Sequence, residues 1–145
     1  MKRISLKGVI IGSITDIVAT NILALPLIIY IAATSHLSAL PKEQISNELV
    51  QTLHNDPILF STQLLIGSSC SILGGYVAAL IAKHDEVLNG ALAAFLCVGS
   101  GLYALLFGAS SVPVWQILAG LIASPALAAF GGYLRLKTMR AKQPA

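Results

Sequence analysis

Four runs of apolar residues, each more than twenty long and parted by short polar segments, constrain this chain more than any other feature. They cover residues 8–33, 58–82, 87–107 and 112–134. A helix needs about 20 such residues to cross a hydrocarbon core ~30 Å thick. Within each run the hydrophobicity is continuous rather than alternating, so membrane helices fit and a membrane β-barrel does not. Composition removes the other classes. The 145 residues are 56% hydrophobic and 10% charged, with a mean hydropathy of +0.82. A soluble domain wets its surface with about 25% charged residues. Two cysteines cannot staple a small secreted domain, and the hydrophobicity is too high for a disordered chain. The expected fold is an all-α integral membrane protein, a four-transmembrane-helix bundle forming a single domain over residues 1–145.

Charge gives the expected orientation. Eight of the nine basic residues (Lys2, Arg3, Lys7, Lys83, Arg135, Lys137, Arg140, Lys142) fall on one side of the four runs, and Lys42 alone on the other. Basic residues are retained in the cytoplasm during insertion, so both termini are expected to be cytoplasmic. Tyr30, Phe107, Trp115 and Tyr133 lie near run ends, where interfacial aromatic residues belong. The first run is too long for a signal peptide and contains Asp16, so it reads as a retained helix. In the loop that follows, Pro41 suits a first helical turn, and Ile45, Leu49 and Leu53 recur every four residues. A short amphipathic helix is expected there, lying on the outer membrane surface or capping the bundle. Two short connections, around 83–86 and 108–111, make the last three runs sequential antiparallel neighbours.

Lipid supplies no hydrophobic force between helices, so close contact depends on small residues. Gly8, Gly12, Gly67, Gly75, Gly101, Gly120 and Gly132 fall at helical spacing with further Ala, Ser and Cys positions, and are expected to form helix-packing seams. The tripeptide Gly74, Gly75, Tyr76 recurs as Gly131, Gly132, Tyr133, either an internal duplication or a chance match.

Asp16 is the one ionisable residue well inside a run, about 13 Å beyond Lys7 at 1.5 Å per residue. A charge at that depth is costly, so the side chain should face the bundle interior. Ser13, Thr20 and Asn21 extend a polar stripe beside it. Two readings follow. Either these four residues form a proton or cation site, or Asp16 joins helices through hydrogen bonds to Ser, Thr or Asn partners. Cys70 and Cys97 read as packing residues, and His36 and His54 as solvated loop side chains, so no metal or cofactor is expected. Ser68, Ser69 and Ser71 have no base in any run, which argues against nucleophilic catalysis.

The stretch Gly12, Ser13, Ile14, Thr15, Asp16, Ile17, Val18, Ala19, Thr20 resembles the first span of the small multidrug resistance transporters. That resemblance implies a proton-coupled exporter of lipophilic cations, with Asp16 shared by proton and substrate. Asp16 stands where that family carries Glu, and the loop after the first run is longer. Over more of the chain, Lys7-Gly8, Gly74-Gly75-Tyr76, Ala82-Lys83, Leu88 to Leu92 and Gly131 to Arg135 resemble small uncharacterised four-span bacterial membrane proteins. This implies a fold and no activity. The leading expectation is a non-enzymatic protein of the bacterial inner membrane, acting through helix packing as an assembly or accessory component. The alternative is a small proton-coupled transporter of lipophilic or cationic solutes using Asp16. Expected partners are the lipid bilayer and either further copies of the chain or other membrane subunits. The few basic residues at the C-terminus suit anionic lipid rather than nucleic acid.

Overall fold

The computed structural model describes residues 4–35, 41–107 and 113–141. All secondary structure among them is helical: α1 (Leu6–Thr34), α2 (Lys42–Asn55), α3 (Pro57–Ala82), α4 (Glu86–Leu92), α5 (Phe95–Phe107) and α6 (Val114–Ala141). Four stretches are long and apolar enough to cross a membrane: α1, α3, the α4–α5 pair and α6. Their exterior fits such a medium. Ile122 is 77% exposed and Leu65 69%, whereas Ala78 and Ala94 are fully buried. Large aliphatic side chains point outward and small ones inward, the reverse of what water would stabilise.

Local chemistry sets the helix ends. Ser5 caps α1, its hydroxyl accepting from the Gly8 N–H at 3.2 Å. Asp56 caps α3, accepting from the Ile58 N–H at 2.8 Å, and Pro57 supplies a first helical residue that needs no N–H partner. At the other end of α3 the chain turns through Lys83 (φ 59°) and Asp85 (φ 43°), both left-handed. Asn89, fully buried, braces that turn. Its side-chain amide donates to the carbonyls of His84 (2.9 Å) and Asp85 (3.1 Å), while its carbonyl accepts from the Ser5 N–H at 2.7 Å.

Three expectations need correction. The third run, expected as one helix over 87–107, is interrupted at Ala93–Ala94. There the N–H groups of Ala93 and Ala94 fold back three residues to Gly90 (3.0 Å) and Ala91 (3.2 Å), tightening the turn. The fourth run starts in residues that lie outside those described, and its helix continues past 134 to Ala141, carrying Arg135, Lys137 and Arg140. Pro41 precedes α2 rather than occupying its first turn. The amphipathic helix itself is present and caps the bundle. Leu53 is buried with Ile31 and Leu59, and Leu49 packs against that cluster. Of the expected connection at 108–111, all residues lie outside those described.

Helix α3 is central, with its largest contacts to α1 and α6. It runs antiparallel to α1 and parallel to α6, so the second and fourth runs are neighbours as well. One end of the bundle carries the starts of α1 and α4 and the ends of α3 and α6. The other carries α2. At the first end helices touch backbone to backbone. A Cβ on Gly8 would lie 2.7 Å from the Ala78 carbonyl oxygen, and one on Gly12 2.6 Å from the Gly74 carbonyl oxygen. A Cβ on Gly75 would overlap the Ala128 carbonyl, one on Gly131 that of Ile72, and one on Gly132 that of Glu86. In the two Gly-Gly-Tyr tripeptides, Gly75 and Gly131 serve the α3–α6 contact, while Gly74 faces α1 and Gly132 faces α4. Gly67 and Gly120, expected in the same seams, have no atom within 4 Å of such a Cβ, and Gly101 meets only the Leu121 and Ile117 side chains. They sit nearer the α2 end, where the helices no longer touch so closely.

Candidate functional site

The space left there is a cavity of about 430 Å³, lined by α1, α3, α5 and α6. Asp16 marks its closed end. The carboxyl sits just beyond the seam, since a Cβ on Gly74 would come within 2.8 Å of the Asp16 Cβ. Asp16 is 3% exposed and receives three donors: the Ser71 hydroxyl at 3.2 Å, the Cys97 thiol at 3.4 Å and the Thr20 hydroxyl at 3.5 Å. One comes from its own helix, one from α3 and one from α5. Ser124 on α6 completes the ring. Its hydroxyl is buried beside the Cys97 thiol and makes no well-formed hydrogen bond. Pro125, the next residue, has no N–H to give the Leu121 carbonyl one turn back.

Toward the α2 end the wall is polar on one side and aliphatic on the other. Ser68, Ser100, Gln63 and Gln116 contribute hydroxyl and amide groups, and Leu64, Ile117 and Leu121 contribute the apolar part. Gln116 is held from above, because its side-chain carbonyl lies 2.5 Å from Nε2 of His54, whose Nδ1 faces the Val50 carbonyl at 2.7 Å. His54 therefore joins α2 to the cavity wall. Its ring also leans on Phe60, with centroids 5.4 Å apart. A second hollow, between α4 and α6 at the other end, is larger at about 540 Å³. It is an open surface recess whose lining is mainly apolar apart from Asp85 and Glu86.

The polar stripe on α1 is divided. Thr20 remains with Asp16, lying about 40° round the helix from it. Asn21, about 140° round, is exposed and donates to the carbonyl of Ile17 on its own helix at 2.8 Å, away from the cavity. Ser13 is fully buried but serves the helix break: its Oγ lies 2.5 Å from the Ala93 carbonyl oxygen and 2.9 Å from that of Val9. Its single proton reaches one of these at a time. Gly67 and Gly120, open toward neighbouring helices, belong to the cavity lining. Sequence reading missed Gln63 and Gln116, although a glutamine inside an apolar run is itself a signal. It placed Ser71, Cys97 and Ser124 among the packing positions and weighed Ser71 further only as a nucleophile without a base.

No group of three or more His, Cys, Asp or Glu side chains among the described residues is arranged to hold a metal ion. Comparison with protein-family models, with curated proteins and with solved structures returns no match to this chain.

Proposed function

We propose that the protein is a small multi-pass membrane carrier. It binds a polar solute in the cavity at Asp16 and exchanges it there for a proton. The observation that carries this reading is a buried carboxyl facing hydroxyl, thiol and amide groups across a cavity of about 430 Å³, inside helices apolar enough to cross a membrane. Buried polar groups are costly in hydrocarbon, and a helix bundle needing only adhesion would close this space with aliphatic side chains. The bias of eight basic residues to one supports cytoplasmic termini. The cavity's α2 end then faces outward. The assembly or accessory reading, by contrast, leaves the cavity without a role.

The exchange balances. One positive charge enters with a singly charged solute as one proton leaves, so the cavity's charge is unchanged. In the purified full chain, small polar solutes that bind should raise the unfolding temperature by mass action. Gly120→Leu adds a side chain to the cavity lining where a Cβ meets no atom within 4 Å, so it should abolish that rise while keeping the fold. A panel of cationic, neutral and anionic solutes that stabilises neither form would overturn the proposal. Orientation is read separately, by impermeant labelling of single cysteines at Glu48 and Lys137 in a Cys70→Ser, Cys97→Ser background. Labelling at Lys137 from outside intact cells would reverse it.

A further inference from the structure

We infer that the solute is a small hydrophilic organic cation carrying a primary ammonium group. The inference rests on the reading above that the cavity is a solute site. Among the described lining residues Asp16 is the sole charged group, with no Lys, Arg or His to balance an anion. An anion would sit unpaired beside a carboxyl, at a large electrostatic cost. The lining also lacks Phe, Tyr and Trp, so the ring faces that hold quaternary and aryl cations are missing. What it offers instead are oxygens that accept hydrogen bonds.

An ammonium group has three N–H donors and no acceptor. Around the closed end stand the Asp16 carboxyl, the Ser71 hydroxyl and the Ser124 hydroxyl, the last buried and without a well-formed bond inside the fold. A bare metal ion fits less well, since Asp16 is the one carboxylate present and the cavity is far larger than an ion. The remaining length, walled by Ser68, Ser100, Gln63 and Gln116, suits a chain with further hydroxyl or amine groups. A lipophilic cation has no hydrogen-bonding groups to match that polar wall.

The test is calorimetric titration of the purified full chain in phosphatidylcholine nanodiscs, with a pH dye reporting proton release. The probes are 4-amino-1-butanol hydrochloride, tetraphenylphosphonium chloride, glycerol and sodium acetate. The amino alcohol, with one ammonium group and one hydroxyl, is expected to bind with proton release. Asp16→Asn should weaken its binding by about tenfold or more, the effect of losing a charge-assisted bond. Ser124→Ala should weaken it by about threefold with little loss of stability, because that hydroxyl makes no well-formed bond within the fold. If Asp16→Asn does not fold, Ser124→Ala decides. Amino-alcohol binding unaltered by both substitutions overturns the inference. Cavity-dependent binding of tetraphenylphosphonium, glycerol or acetate, without the amino alcohol, overturns it too but leaves the carrier reading standing. Binding by none of the four removes both.

Discussion

The two ends of the bundle use glycine for opposite purposes. At the end carrying the starts of α1 and α4, Gly8, Gly12, Gly75, Gly131 and Gly132 let backbones meet, and a Cβ at any of them would press on a neighbouring helix. Toward α2, Gly67 and Gly120 have the same helical spacing from small neighbours yet meet nothing within 4 Å. There the missing side chain creates volume instead of contact. Small residues in a membrane helix are therefore not one signal. The same residue type seals one half of this molecule and hollows out the other, and Asp16 lies at the boundary.

The sharpest way to break this comparison is to add one methyl group to each half. Gly75→Ala pushes a Cβ into the Ala128 carbonyl, a backbone atom that cannot rotate aside. A loss on the order of 3 kcal/mol is expected. Gly67→Ala should be neutral or stabilise by up to about 1 kcal/mol through helix propensity. Denaturant titration in mixed micelles measures both, and equal losses would mean that the two halves pack alike.

The boundary itself comes next. Asp16→Leu removes the acceptor for Ser71, Thr20 and Cys97 and should cost about 1–2 kcal/mol, the scale of interhelical hydrogen bonds in membranes. Asp16→Asn keeps a side-chain carbonyl of the same size, so less than about half of that loss is expected. An Asn variant as unstable as the Leu variant would show that the carboxyl's charge, rather than its hydrogen bonds, holds the boundary together.

A smaller effect tests the break between α4 and α5. Ser13→Ala deprives the Ala93 carbonyl of its hydroxyl and should cost about 1 kcal/mol. Amide exchange should quicken around residues 93–97 and remain slow along α3. Unchanged exchange would mean that the break holds itself. The smallest effect is expected at the α2 cap. His54→Ala loses the bond to Gln116 and the Phe60 contact, for about 0.5 kcal/mol, and α2 should exchange faster than the four long stretches. Uniform exchange over the whole chain would instead tie α2 into the bundle's cooperative unit.

Much of the architecture is legible in residues 8–33 and 58–82, because an apolar run of that length has few other uses. The capping Asp56-Pro57 pair and the four-residue recurrence of Leu49 and Leu53 are equally local, and the structure follows them. The break at Ala93–Ala94 is not legible, since both residues favour helix. It coincides with a contact from Ser13, eighty residues earlier, to the Ala93 carbonyl. The site divides the same way. Asp16 announces itself as an acid among apolar neighbours, whereas its partnership with Ser71 and Cys97 depends on which faces of α3 and α5 turn toward α1.

By itself, then, the sequence determined the number and length of the apolar helices, the small residues at helical spacing, and the one acid among them. These follow from short-range physics: hydrophobic length, capping and periodicity. Tertiary structure alone decided which glycines touch and which stand open. Close packing holds around Gly75 and Gly132, and the cavity begins near Ser124, Pro125 and Cys97, just beyond the Ala93–Ala94 break. Helix hydrogen bonding is interrupted in two of the four walls at that level. The physical reason is that contact between helices depends on the relative direction of their axes over many residues, a property that no single run of sequence contains.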